Sequence, residues 1–293
     1  MNSSENDMRT TNVLKLIKNI SDYGGNDMRK MPALKSSSTI RANQMGEALE
    51  SFVRNGFCNS YSERSHEKRI IKHSNYFSYL GNQNNPPDIV IRDGDAIEVK
   101  KIDGVKKAYL ALNSSYPKSK LYSNNPLITA SCRNCEEWEE KDMVYIVGFV
   151  EKQKLKVLFI VYGDCYAASK EIYEKVRDSV SNGLKSLNLE LSKTRELGRV
   201  NRVDPLGITN LRIRGMWGIK NPLEVFSDLI DIDSKDKLTV FALMRKTKFE
   251  SFSRSDRNML KSLRRCAIKR VKIQEPNNPA MLSDAVFVKM VIN

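Results

Sequence analysis

Apolar residues along the chain follow two rhythms. Met45, Leu49, Phe52 and Val53 recur at helical spacing within residues 40–57, which predicts an amphipathic helix. Residues 61–79 continue as a second, strongly charged helix. The period then drops to two. Apolar runs on both sides of Asp93-Gly94, a strong turn signal, make residues 87–100 a predicted hairpin. MVYIVGFV and LKVLFIVYG, separated by EKQK, predict a central hairpin, and YLALNSSYP a strand leaving into a loop. ASKEIYEKVRDSVSNGLKSL predicts a helix with Ile172, Val176, Val180 and Leu184 on one face. A loop-rich basic stretch follows from residue 193, then a strand (LTVFALM), a basic helix (SDRNMLKSLRRCAIKR) and a closing strand (DAVFVKMVI). The first forty residues are polar, apart from a short helical pattern at Val13, Leu14, Leu16 and Ile17. They read as a lightly packed N-terminal arm (1–39). The arm precedes an α/β core (40–192) and an appended basic region (193–293), packed on the core as one globular unit.

Composition narrows the partners. The 293 residues carry a formal net charge of +14, which favours encounter with polyanions without specifying a fold. No apolar run approaches the roughly 20 residues that span a bilayer, and the N-terminus lacks a secretory pattern. Five cysteines at irregular spacing argue against a disulfide framework and for a reducing, cytoplasmic setting. Cys132 and Cys135 form a lone CxxC without a second ligand pair, so two free cysteines are expected rather than zinc. The two histidines, His66 and His73, both lie in polar surroundings and read as surface residues. Two are too few for the zinc hydrolases that need two or three imidazole ligands.

Candidate chemistry concentrates in the first hairpin. Asp88, Glu98 and Lys100 provide two carboxylates able to hold Mg²⁺ and an ammonium able to orient the attacking water in phosphodiester hydrolysis. Parity makes the proposal geometric. Glu98 and Lys100, two apart, share a strand face. Asp88 joins that face only if the connecting loop has an odd number of residues. A two-residue Asp93-Gly94 loop would put the carboxylates on opposite faces. A three-residue loop, Arg92-Asp93-Gly94, with Gly94 left-handed and a bulge, would set Asp88 opposite Glu98. Glu47 and Glu50 on the preceding helix offer a third carboxylate. The bland alternative is a solvated surface hairpin.

Pro87-Asp88 and Glu98-Val99-Lys100 resemble the signature of the PD-(D/E)XK nuclease superfamily. Longer segments are similar to one subgroup, the type II restriction endonucleases that cut GGCC: MGEALESFV, SYLGNQNNPPDIVIRDGDAIEVKK, ALNSSYPKSKL, CRNCEEW and ELGRVNRVDPLGITNLRIRGMWGI. The similarity runs from about residue 40 to about 225. It implies a mixed central sheet flanked by helices and Mg²⁺-dependent cleavage of both strands of a short GC-rich palindrome in double-stranded DNA. It also implies 5′-phosphate and 3′-hydroxyl ends and a homodimer, and it favours Glu50 as the third acid. No small-molecule cofactor beyond the metal is expected.

The basic region supplies candidates for sequence reading. Arg195, Arg199, Arg202, Arg212 and Arg214, with Trp217, lie among Gly, Asn and Pro, and Arg reads guanine bidentately in the major groove. Arg212 and Arg214 share a face by parity and make the best pair. Asn113, Ser114, Ser115 and Lys118 could meet phosphate or bases near the scissile bond, or simply stabilise a turn. Arg257, Lys261, Arg264 and Arg265 form either a solvated helix face or part of a DNA groove. Two other readings stay open: a structure-specific or repair nuclease on the same core, and an inactive DNA-binding protein.

Overall fold

The computed structural model describes residues 10–31, 41–82, 85–112, 115–187, 189, 191–194 and 196–293. Its backbone is a nine-stranded mixed sheet in the order β1-β2-β3-β6-β7-β11-β13-β12, with β5 paired to β6. The strands are β1 (Phe77–Asn82), β2 (Asn85–Ile91), β3 (Ala96–Asp103), β4 (Tyr109–Ala111), β5 (Lys120–Tyr122), β6 (Glu140–Glu151) and β7 (Lys154–Tyr162). They continue with β8 (Gly198–Val200), β9 (Leu211–Ile213), β10 (Gly218–Lys220), β11 (Leu238–Arg245), β12 (Cys266–Glu275) and β13 (Asn278–Ile292). β3 runs parallel to β6 and β7 parallel to β11; the other neighbours in the sheet are antiparallel. β4 pairs with β10 and β8 with β9 outside this sheet. The predicted central hairpin is β6–β7, whose apolar runs are buried because both faces of the sheet are covered.

The main helices are α1 (Val13–Tyr23), α2 (Arg41–Phe57), α3 (His66–Tyr76), α4 (Lys170–Lys185), α5 (Lys246–Ser251) and α6 (Arg254–Ser262). α1 corrects the expectation of a lightly packed arm. Asn12 caps it, its side chain accepting from Leu14 N and Lys15 N at 2.9 and 3.1 Å, and Gly24 closes it at φ +62°. Val13, Leu14, Leu16, Ile17 and Ile20 are fully buried. Burying five such side chains is worth on the order of 10 kcal/mol before conformational entropy is counted. The segment is a core layer packed on α2 and α6.

In the last hundred residues the strands predicted at LTVFALM and DAVFVKMVI form, as β11 and within β13. β11, β13 and β12 complete the sheet begun by the core segment. The predicted basic helix SDRNMLKSLRRCAIKR breaks after Ser262; Arg265 takes φ +58° and the chain continues as β12, paired along β13. Alternation in CAIKRVKIQE serves that pairing, and the run of cations hid it. α4 forms as predicted, but its apolar face is half uncovered: Ile172, Val176 and Val180 are each 45–52% exposed.

In-register partners share a sheet face, so the pairing assigns the two layers. Glu98, Tyr145 and Val161 lie on one face; Val99, Ile146, Ile160, Ala242, Val288 and Ile268 lie on the other. α2 covers the second face. A Cβ on Gly148 would lie 2.6 Å from both methyls of Leu49. Among the described residues no helix is long and apolar enough to cross a membrane.

Candidate active site

The β2–β3 hairpin takes the odd-loop arrangement. Ile89 pairs with Ile97 and Val90 with Ala96, Ile91 N donates to Asp95 O at 3.0 Å, and Arg92, Asp93 and Gly94 form the loop. The same register carried one step further puts Asp88 opposite Glu98. One detail is corrected: Asp93, at φ +54°, is the left-handed residue rather than Gly94, and the paired residues show no bulge. Asp tolerates this conformation better than most residues with a Cβ. The tip is held from outside. Asp93 N donates to Glu136 at 3.3 Å, Lys141 Nζ donates to Gly94 O at 2.9 Å, and Lys141 also pairs with Glu136. The CRNCEEW segment therefore buttresses the hairpin. Cys132 is buried and Cys135 half-buried, and neither forms a disulfide.

β2 and β3 stop pairing just where the acids begin. Val99 N then finds the Asp88 carboxylate, at 2.6 Å, in place of a strand partner. Burial and the negative charges of Glu98 and Glu50 push the Asp88 carboxyl well above the ordinary carboxylate range, against the opposing pull of Lys100 and the Val99 N–H. Glu98 is buried; one oxygen is engaged by Lys100 Nζ, while Oε2 has no hydrogen-bond partner. Burial disfavours the charge on Lys100, yet Glu98, Asp88 and Glu50 together raise its pKa above that of an ordinary lysine. Lys100 is thus held as an ammonium.

Two inward carboxylates, one with an orphaned buried oxygen and the other driven towards protonation, form a donor set short of positive charge. A hard divalent cation fits it, since such ions are bound by one or two carboxylates plus water and phosphate oxygens. Glu50 lies within electrostatic reach of Asp88, Glu98 and Lys100. Among the described residues no three His, Cys, Asp or Glu side chains cluster closely enough to share a metal ion. Glu50 instead pairs with Arg54 at 3.4 Å, and burial raises its pKa. Arg54 is a neighbour that sequence reading missed. It is buried, lies within electrostatic reach of Asp88 and Glu50, and its Nε lacks a partner. The i, i+4 spacing from Glu50 was the available signal.

The remaining candidates divide sharply. Lys118 is 4% exposed, with its Nζ bonded to Ser115 Oγ and, at 3.2 Å, to Tyr116 O; burial lowers its pKa to about 8. Ser115 is buried beside it. Both residues belong to a turn close enough to Glu98 and Lys100 for Lys118 to feel their charges. Gly163 presses on this turn: a Cβ there would sit 2.3 Å from Lys118 O. Gly163→Ala is expected to destabilise the protein by about 1–3 kcal/mol, measured by denaturant titration; an unchanged midpoint would show that the turn has slack. Trp217 is half-buried against Tyr116 and Tyr173, with ring centroids 6.2 and 5.7 Å away, so it packs rather than projects. Arg199 and Arg202 are exposed. Arg212 and Arg214 converge, as parity required, on one acid: Glu196 accepts from Arg212 Nη2 and from Arg214 Nε, each at 2.7 Å. Arg195, Asn113 and Ser114 lie outside the described residues. His66 is exposed, but His73 is buried, bonded to Asn55 at 3.2 Å, and burial lowers its pKa to about 4. A helix face turned onto Phe77 covers it, which its polar sequence neighbours concealed.

The sequence profile of the NgoPII restriction endonuclease family matches residues 11–275. This chain belongs to that family. The type II restriction enzyme NgoPII of Neisseria gonorrhoeae is 46% identical over 255 residues, spanning 86% of this chain and 91% of that enzyme. No solved structure gives a significant match. As a member of the NgoPII family the chain is a type II restriction endonuclease, a site-specific deoxyribonuclease. The match begins at residue 11, next to α1, in keeping with a core role for that helix.

Proposed function

We propose that this enzyme hydrolyses both strands of a short palindromic site in double-stranded DNA, GGCC, on a PD-(D/E)XK centre made of Asp88, Glu98 and Lys100. The observation that carries the reading is the convergence of Asp88 and Glu98 on one face beside Lys100, with Glu98 Oε2 unpartnered. Asp88 and Glu98 would hold Mg²⁺. When bound, the ion would polarise the phosphoryl oxygen and acidify a water molecule.

The other steps belong to the side chains. Lys100, kept protonated by its acidic neighbours, orients the attacking water and stabilises charge developing on the phosphorane oxygens. Glu98 fixes the Lys100 ammonium by their ion pair, and the Val99 N–H fixes the Asp88 carboxylate. Glu50, paired with Arg54 and within electrostatic reach of Glu98 and Lys100, would supply the third acid beside the metal. Products would carry 5′-phosphates, and a two-fold symmetric site calls for a homodimer. The long segments that resemble enzymes cutting GGCC support the choice of site.

Specificity would come from the exposed arginines Arg199, Arg202, Arg212 and Arg214. Arg212 and Arg214 share Glu196, so either must leave that acid to reach a guanine. Glu196→Gln is therefore expected to tighten binding to duplexes of any sequence several-fold, read by fluorescence anisotropy with Ca²⁺ in place of Mg²⁺. No change in affinity would place this pair outside the DNA path.

Incubation with plasmid DNA and Mg²⁺, followed by sequencing of the fragment ends, tests the reading. Discrete fragments ending within GGCC with 5′-phosphates are expected, and chelation of the metal should stop the reaction. Discrete fragments at another sequence would overturn the site while leaving the centre in place. Absence of cutting with Mg²⁺ present would overturn both.

A further inference from the structure

A second cationic feature lies at the opposite edge of the sheet from the hairpin. α5, α6 and the β12–β13 pair enclose a cavity of about 410 Å³. Lys246, Arg257, Lys261 and Arg270 line it, with Glu250 as the one acid in the lining. Five strand steps separate β12 from β3, about 24 Å at the usual spacing. Arg270 and Ile268 project from the face that carries Val99, the reverse of the Glu98 face, so the cavity is distinct from the nuclease centre.

Its cations are poorly compensated. Glu250 stands 3.8 Å from Lys246, its i, i+4 neighbour. Asp284, which feels Lys246 and Arg270, is bonded to Lys272 at 2.8 Å. Among the described residues Arg257, Lys261 and Arg270 form no ion pair, and Arg257 Nε is buried without a hydrogen-bond partner. Gathering four cations around one concavity costs energy through mutual repulsion, and leaving a buried guanidinium nitrogen unbonded costs more. Both costs fall when an anion with several acceptor oxygens enters. Phe249, Ile268 and Val286 give the cavity an apolar wall beside its charged rim, which suits a phosphate carried on a sugar.

We infer that this cavity binds a phosphate group, supplied either by the backbone of a nucleic acid segment remote from the cleavage centre or by a free nucleotide. The shared requirement is a tetrahedral oxyanion met by Arg257, Lys261 and Arg270. The inference does not depend on how the hairpin cuts DNA.

Cys266 also lines the cavity and is a half-buried free thiol, so its alkylation reports on occupancy at this position. The full-length protein would be treated with N-ethylmaleimide, and modification of Cys266 followed by peptide mass spectrometry, with Cys135 as the internal control. The probes are inorganic phosphate, adenosine monophosphate, a short duplex without GGCC, and potassium chloride at matched ionic strength. At least a threefold slowing at Cys266 but not Cys135 is expected with a phosphate-bearing probe and not with chloride. Slowing by the duplex alone would identify backbone as the source; slowing by phosphate or nucleotide would identify the small ligand. The Arg257→Gln, Lys261→Gln double variant should lose the protection. If the duplex is the source, that variant should also lower the slope of log affinity against log salt by about 0.9 for each contact removed. Equal slowing by chloride, or no slowing by any probe, would overturn the inference, and this comparison needs only the unsubstituted protein.

Discussion

Asp88→Asn is expected to cut the cleavage rate about a thousandfold or more, because several kcal/mol of metal-dependent transition-state stabilisation go with the carboxylate. The same substitution should raise the melting temperature of the metal-free protein at neutral pH. Burial and the adjacent acids hold the Asp88 carboxyl above its unfolded value, so the fold favours the protonated form. Stability from this group is present below the ordinary carboxylate pKa of about 4 and is lost as pH rises towards the folded value. At neutral pH the fold must either bury a charge or hold a proton that the unfolded chain has released, a cost that Asn removes, while the Asn oxygen can still accept from Val99 N. The gain should therefore be small in acid and grow towards neutrality. Plasmid cleavage and melting curves across that range check both halves. Wild-type cleavage by the variant would remove Asp88 from the centre; a lower melting temperature at neutral pH would show that its charge is compensated in the free protein.

Lys100→Met is expected to lose about a hundredfold to a thousandfold in cleavage rate, with metal affinity retained or increased. The ammonium carries charge towards the reacting phosphate, and removing one donor aimed at developing charge commonly costs that much. Its loss also frees the Glu98 oxygen it now engages, which strengthens rather than weakens the cation site. Lys100→Arg keeps the charge but spreads it over a planar fork, so it should recover only part of the rate. Single-turnover cleavage together with Ca²⁺ titration separates the two effects. Loss of metal binding in the Met variant would make Lys100 a structural support of the acids rather than a participant.

Much of this centre was legible in the sequence because strand geometry is strict. A side-chain period of two means that the loop length between Asp88 and Glu98 decides whether they meet, and the three-residue loop required for convergence is the one observed. The backbone found its left-handed residue at Asp93 instead of Gly94, a choice that turn signals leave open. Burial was less legible. Val13 to Ile20 read as a short helix, and only packing against α2 and α6 makes it core. His73 sits in a polar string and Arg54 carries a charge that reads as surface, yet tertiary contacts enclose both. Long-range pairing was hidden too: the cations of β12 mask a strand whose partner, β13, supplies the apolar positions. The half-burial of Trp217 and the burial of Lys118 come from contacts distant in sequence, which no local pattern encodes.

Calorimetric titration of the protein with Mg²⁺, at mildly acidic and mildly alkaline pH and in buffers of different ionisation enthalpy, tests the central claim most directly. If Asp88 and Glu98 hold the ion, binding must displace the proton that burial keeps on Asp88. Affinity should then rise with pH, up to one proton should be released at the lower pH, and Asp88→Asn should abolish that release and weaken binding. Mg²⁺ binding that is independent of pH and unaltered by Asp88→Asn would place the metal elsewhere and contradict the account.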